Sequence, residues 1–209
     1  MTFDKEFKIA IQNLPSSEKD KLILRLLKKD LLLANRLYFE LVDIQTVDDR
    51  RAKMQETVSK AVKKMTKTFY SPGYLLKDMR YLSAEITEHV KITKDKFGEI
   101  SLNLQMLIEV IEQNGERIIT NRLAKTYTLI IYILARTFKI LTLINALHED
   151  YRIEFRDDLI RLGELITKNP ILIKYAGYNG LNVDWLIDNE IPENINAILK
   201  ELRSNGLLK

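Results

Sequence analysis

The sequence lacks cysteine altogether and contains only seven glycines and four prolines among its 209 residues. The absence of cysteine excludes disulfide bonds, thiolate metal ligands and a cysteine nucleophile, and it fits a reducing compartment. Glycine and proline are the residues that most often end helices and form turns. Their scarcity therefore favours long helices over an architecture of strands and tight turns.

Long uncharged apolar runs are also missing. The longest one, "TYTLIIYILA" from Thr126 to Ala135, has ten residues, whereas a helix that crosses a bilayer core needs about 20. The first segment, "MTFDKEFKIAIQN", carries four charged residues where a secretory signal peptide would have an unbroken apolar run. We therefore expect a cytoplasmic protein without a membrane span.

Histidine is scarce as well, with one at position 89 and one at position 148. A di-metal site in a helical bundle uses Glu-x-x-His pairs, which place both ligands on one face. Here Glu85 precedes His89 by four residues rather than three, His148 has no carboxylate at either spacing, and no HExxH motif occurs. We interpret both histidines as surface or helix-end residues and predict neither a metal nor a cofactor.

Motifs for covalent catalysis and phosphate-loop chemistry are missing too. No G-x-S-x-G occurs, and "GYNG", from Gly177 to Gly180, lacks the lysine and hydroxyl residue of a phosphate-binding loop. The paired acids Asp48-Asp49 and Asp157-Asp158 lie at expected helix starts, where capping explains them. We therefore expect a protein that is not an enzyme.

What the sequence does contain is a helical repeat of apolar residues along almost its entire length, which predicts an all-α protein. A first helix is expected over residues 2–13. Pro15 interrupts it, and Ser16 or Ser17 is expected to cap the second helix.

Asp30 stands within "KLILRLLKKDLLLANRLYFELV", where the apolar stripe should continue. In a single helix the carboxylate would lie either in the core, which is costly without a partner, or at the exposed edge. In a chain that breaks at this point, Asp30 would cap the second of two helices, because its oxygens accept free amides of the next turn. We favour the break, with an amide of residue 32 or 33 as the donor.

Further along, Asp48 or Asp49 is expected to cap a helix that carries an apolar stripe from Met54 to Phe69. Ser71 and Pro72 suit the start of the next helix, which we expect to run to about Phe97 and to be closed by Gly98. Another helix is expected over residues 100–113, with its end at Asn114-Gly115.

A long helix over about 116–148 is apolar on most of its surface, which is typical of the centre of a bundle. The predicted fold is therefore a multi-helix bundle or irregular α-helical array around this central helix, with solenoid-like stacking as the alternative. We expect one domain over residues 1–209, in which the shorter helices of 149–209 could form a smaller C-terminal subdomain.

The feature that most resembles a binding site is a basic helix over residues 50–67. Lysines could contact phosphates there, and the tyrosines downstream at 70, 74 and 81 could stack on bases. The alternatives are a solvated helix face with the aromatic residues in the core, or a face that binds an acidic protein or a membrane. The candidate nucleic-acid-binding residues are Lys53, Lys60, Lys63, Lys64 and Lys67.

Two functional hypotheses follow. The first is a non-enzymatic interaction or scaffold protein with a protein partner. The second is nucleic-acid binding through the basic helix. A large exposed apolar patch would favour the first hypothesis, and a continuous positive surface would favour the second.

Overall fold

The computed structural model describes residues 2–208, which form α-helices and one short 3₁₀ helix and contain no β-strand. The all-α class is therefore confirmed, and the helices from residue 47 onward pack around a shared apolar core. In chain order they are α1 (Lys5–Gln12), α2 (Ser16–Leu27), α3 (Leu31–Leu41), α4 (Val47–Lys67), α5 (Pro72–Thr93), α6 (Lys96–Thr120), α7 (Leu123–Asn145), α8 (Glu149–Arg152), the 3₁₀ helix Ile153–Phe155, α9 (Arg156–Lys168), α10 (Pro170–Tyr178), α11 (Asp184–Ile187) and α12 (Ile195–Ser204).

The break at Asp30 is confirmed. Its carboxylate accepts a hydrogen bond from the Leu33 amide at 3.0 Å, so it caps α3 as expected. Asn169 does the same before α10, where its side-chain oxygen accepts from the amides of Ile171 and Leu172, each at 3.1 Å. Both breaks are therefore local features that a short polar side chain produces on its own.

Two of the expected caps are wrong. No side chain caps α2, which begins at Ser16 directly after Pro15. The helix α4 is capped by Thr46 rather than by Asp48 or Asp49: the Thr46 hydroxyl accepts from the Asp49 amide at 3.1 Å, and the Asp49 carboxylate accepts from the Thr46 amide at 2.9 Å. This reciprocal pair is a capping box in which the aspartate occupies the third helical position.

The predicted central helix over 116–148 is wrong in its boundaries. The helix α6 passes through Asn114-Gly115 without a break and continues to Thr120, and the chain breaks instead at residues 121–122, before α7. The apolar centre of the bundle is therefore shared by two long helices. Both carry many fully buried side chains.

Tertiary contacts explain why Asn114 does not end a helix. Its side chain is buried; its amide nitrogen donates to the Thr66 hydroxyl of α4 at 2.9 Å, and its oxygen accepts from Arg117 at 2.8 Å. The carbonyl of Gly115 accepts from the Asn169 side chain at 3.1 Å. The two residues that commonly mark a turn thus join α6 to α4 and to the start of α10.

The junction between α5 and α6 also differs from the prediction. The helix α5 ends at Thr93, Lys94 adopts a left-handed conformation with φ of 57°, and Asp95 caps α6 by accepting from the Gly98 amide at 2.8 Å. Gly98 therefore lies in the first turn of α6 and does not close α5. A Cβ there would stand 2.0 Å from Asp95 Oδ2, so the position requires glycine.

The core draws on every long helix from α4 onward, and α6 packs against α4, α5, α7 and α9. The buried stripe expected on α4 is confirmed at Val58, Val62 and Met65. By contrast, α1, α2 and α3 contain no buried residue. The helix α3 packs on α5, and α2 contacts α3.

Candidate functional site

The five lysines proposed for nucleic-acid binding are all exposed on α4, on the side away from its buried stripe. Two of them have partners of their own: Lys60 pairs with Glu56 at 3.1 Å, and Lys53 donates to Gln45 Oε1 at 2.8 Å. Within residues 2–208, the other three form no ion pair within 4.0 Å. The structure thus leaves Lys63, Lys64 and Lys67 as available cations.

The tyrosines near this helix lie at the surface and not in the core. Tyr70 is 79% exposed and meets Tyr74 edge-on, with ring centroids 5.2 Å apart. Tyr81 is 60% exposed and lines a shallow groove between α4 and α5 together with Lys64. Two carboxylates, Asp78 and Glu85, line the same groove, so its charge is mixed.

The histidine at position 89 belongs to a buried charged cluster and not to the open surface. Arg51 binds Asp95 in a bidentate pair, Nε to Oδ2 and Nη2 to Oδ1, each at 2.7 Å. His89 Nε2 lies 3.6 Å from Asp95 Oδ2, and its side chain is only 9% exposed. The Arg51 guanidinium also stacks on Phe97, 4.8 Å from the ring centroid.

This cluster holds a charge inside the protein. Burial raises the pKa of the Asp95 carboxyl, but His89, Arg51 and the Gly98 amide together lower it by more, so the pKa lies well below its ordinary range. The carboxylate is thus ionised whenever the protein is folded near neutral pH. Because it joins the start of α4 to the start of α6, its role is structural.

His148 precedes α8 at the surface. Its Nδ1 accepts from the Asp150 amide at 3.5 Å, and its side chain is 73% exposed. No group of three side chains with the chemistry of metal ligands lies together anywhere in residues 2–208.

A cleft with a volume of about 560 Å³ opens among α3, α5 and α7. Three cationic side chains and one carboxylate line it, together with small and apolar residues. Its lining consists of Leu32 from α3, Arg80, Ser83, Ala84, Thr87, Glu88 and Lys91 from α5, and Arg136 from α7.

Two arginines in this cleft flank one tyrosine. Their guanidinium carbons lie 5.9 Å (Arg80) and 5.3 Å (Arg136) from the centroid of the Tyr132 ring, and Arg136 Nε contacts the Tyr132 hydroxyl at 3.2 Å. Neither arginine has a carboxylate within 4.0 Å in the described part of the chain. Sequence reasoning missed this site, although the spacing of Arg80, Ala84 and Lys91 places them on one face of a helix.

The N-terminal helices expose most of the apolar surface. Residues 3–44 hold 13 of the 22 large hydrophobic residues that are exposed within residues 2–208. They are Phe3, Phe7, Ile9, Ile11, Ile23, Leu24, Leu26, Leu31, Leu33, Tyr38, Leu41, Val42 and Ile44.

One helix, α7, is long and apolar enough to cross a membrane by length and composition. In the structure, 56% of its most apolar window is buried against the rest of the protein. A core helix has the same composition, and the finding is consistent with the expected absence of a membrane span.

No protein-family model matches this chain, and no curated protein or solved structure is significantly similar to it.

Proposed function

We propose that this chain is a non-enzymatic interaction module and that α1–α3 form its binding face for a second copy of the same chain. The observation that carries the proposal is the exposure of 13 large hydrophobic residues over residues 3–44, ten of them on the helices α1–α3, which bury none. An amphipathic helix derives most of its stability from packing its apolar face. The apolar faces of α1 and α2 would therefore be stabilised by packing against a further surface, which the isolated chain does not provide.

The helices that carry this face are long enough to supply one side of a stable interface. The largest apolar patch on an ordinary monomer covers roughly 300–600 Å². One side of a standard interface buries roughly 800 Å² from about 20–30 residues, and α1–α3 together contain 31 residues. Phe3 and Phe7, whose ring centroids are 5.4 Å apart, form one aromatic pair on this face.

The charge of this region favours binding of a second copy of the chain over binding of a polyanion. From Asp4 to Asp43 the chain carries eight basic and seven acidic residues, so the region is close to neutral and both signs are interspersed. Nucleic acid and anionic lipid attract surfaces with an excess of positive charge. A two-fold symmetric pair brings the same patch together with itself, so that each sign can face its opposite.

One helix of this face, α3, is also held in place. Glu40 of α3 pairs with Lys94 at 3.1 Å, and Asp43 pairs with Arg50 at the start of α4. The Arg50 guanidinium covers the Phe39 ring at 4.7 Å. These contacts tie α3 to α4 and to the end of α5, so that this part of the face has a fixed position in the protomer.

The direct test is the solution mass of the full chain by light scattering and sedimentation equilibrium. We expect a discrete species of twice the chain mass, and a monomer for the double variant Ile23→Glu and Leu26→Glu. Both side chains are about half exposed, at 49% and 53%, so the charges should not unfold the protomer. The control is Ile153→Glu, which alters a 66% exposed residue outside α1–α3 and should leave the dimer intact. A wild-type monomer at all concentrations would refute the proposal.

The second candidate is nucleic-acid binding through the basic helix. The supporting observation is that Lys64 and the exposed Tyr81 line one groove, with the exposed pair Tyr70 and Tyr74 nearby in sequence. A lysine could contact a phosphate there while a tyrosine stacks on a base.

If this candidate is correct, binding of single- or double-stranded oligonucleotides at about 50 mM salt must weaken steeply as salt is added, because each neutralised phosphate releases counterions. Four phosphate contacts correspond to a slope of roughly −3 to −4 in a plot of the logarithm of the binding constant against the logarithm of the salt concentration. Lys64→Glu with Lys67→Glu should abolish binding, whereas Lys174→Glu with Lys200→Glu should change it little. Absence of binding at low salt would exclude this candidate.

A further inference from the structure

We propose that the cleft among α3, α5 and α7 is a binding site for a small phosphate monoester whose phosphate is held by Arg80 and Arg136, while Lys91, further along α5, adds positive charge to the lining. Its volume of about 560 Å³ lies within the roughly 300–1,000 Å³ that small-molecule sites occupy. The proposal is independent of the association through α1–α3, because the arginines that would bind the phosphate belong to α5 and α7, and Leu32 is the one lining residue from α3.

Charge indicates the class of ligand. Arg80, Lys91 and Arg136 contribute three positive charges to the lining and Glu88 contributes one negative charge, which leaves two positive charges in excess. A phosphate monoester carries about −1.5 to −2 at neutral pH, so one such group would neutralise the cleft. A single carboxylate would neutralise only half of it.

The two arginines have no other anion to bind. Elsewhere in the structure Arg51 and Arg161 pair with carboxylates, at 2.7 Å from Asp95 and 2.6 Å from Glu112. Arg80 and Arg136 have no such partner within residues 2–208, and both approach the Tyr132 ring instead. A guanidinium presents a planar fork of donors that matches two phosphate oxygens at once.

Leu32 and Ala84 line the same cleft and offer apolar contact for the organic part of the ester. Ser83 also belongs to the lining, but it is 2% exposed and its hydroxyl oxygen is buried, so a ligand in the cleft does not reach that oxygen.

The phosphate could belong to a soluble metabolite or to a lipid headgroup, and the test separates these sources. Adenosine 5′-monophosphate and glucose 6-phosphate serve as soluble probes in calorimetric titrations of the full chain, with inorganic phosphate as the bare group and acetate as the monoanionic control. Phosphatidylcholine vesicles with and without phosphatidic acid serve as the lipid probe in sedimentation assays.

We expect at least one phosphate probe to bind and acetate not to bind. Each of Arg80→Gln and Arg136→Gln should weaken that binding by roughly tenfold or more, the usual loss for one charge-assisted hydrogen bond. Arg136→Lys keeps the positive charge but lacks the planar donors of the guanidinium. It should therefore bind more tightly than Arg136→Gln but less tightly than wild type. Arg156→Gln is the matched control, because this exposed arginine lies outside the cleft and its loss should have no effect.

Circular dichroism of each variant establishes that it is folded, and Arg80→Gln is the variant least able to disturb the fold because Arg80 is exposed. Binding of a soluble ester identifies a metabolite site. Binding of phosphatidic acid vesicles alone identifies a headgroup site. The proposal is overturned if no phosphate probe binds, or if binding is equal in wild type, Arg80→Gln and Arg136→Gln.

Discussion

The N-terminal helices α1–α3 and the helices from α4 onward are both amphipathic, yet they differ in how far their apolar faces are buried. The stripe of α4 buries Val58 and Val62 completely, whereas Ile23 and Leu26 on the apolar face of α2 stay about half exposed. Sequence periodicity is the same signal in both regions. It indicates that a helix has a side to bury, and it does not indicate whether the surface that buries it belongs to the same chain.

The largest difference between the regions should appear at two aspartates that cap helices. Asp95 caps α6 from a buried position with Arg51 as its partner, and Asp30 caps α3 at the surface. Replacing Asp95 by alanine leaves the largely buried Arg51 guanidinium with only the exposed Asp48, 2.8 Å away, as its partner, and it also removes the cap of α6. The two losses together should lower the free energy of unfolding by about 3–5 kcal/mol. Urea unfolding, monitored by circular dichroism, measures this loss of stability. A loss below about 1 kcal/mol would mean that the cluster is solvated.

The same residue predicts a pH dependence. Because the folded-state pKa of Asp95 is depressed, the stabilisation is fully present above the ordinary pKa of 3.8 and is lost as the pH falls from there toward the depressed value. The difference in unfolding free energy between wild type and Asp95→Ala should therefore be constant near neutral pH and shrink below about pH 4. If the difference between wild type and Asp95→Ala shrinks already between pH 7 and 5, the pH dependence comes from another titrating group.

A matched pair of leucines compares core and surface with identical chemistry. Leu107 of α6 is 0% exposed and Leu24 of α2 is 60% exposed. Leu107→Ala should cost about 3 kcal/mol, since it leaves a cavity. Leu24→Ala should change the unfolding free energy of the monomer by less than about 0.5 kcal/mol. If Leu24→Ala proves costly only at high protein concentration, α2 is buried between two copies and the association through α1–α3 is supported.

A smaller effect than at Asp95 or Leu107 is expected at Asp30. Asp30→Ala removes the hydrogen bond to the Leu33 amide and should lower stability by about 0.5–2 kcal/mol. Asp30→Asn should be nearly neutral, because asparagine caps equally well. Thermal unfolding of the two variants, measured in parallel, distinguishes the contribution of the capping hydrogen bond from that of the negative charge. A stabilising effect of Asp30→Ala would contradict the observed break between α2 and α3.

Features that depend on neighbours in sequence could be predicted. The break at Asp30 and the start of α5 at Ser71 and Pro72 follow from contacts within about four residues. A cap needs only its own side chain and the next turn of backbone. The periodicity of apolar residues likewise depends only on helix geometry, and so the all-α class could be predicted without tertiary information.

Only the tertiary structure decided where α6 ends and what the candidate cleft contains. Asn114 and Gly115 have the local preferences of a turn, but contacts with Thr66 and Asn169, 48 and 54 residues away, keep them within a helix. Arg80 and Arg136 are separated by more than fifty residues and meet only because α5 packs on α7. Caps and apolar periodicity are local and can be recognised in the sequence, whereas the pairing of faces, and the helix ends that this pairing stabilises, depend on which helices pack together.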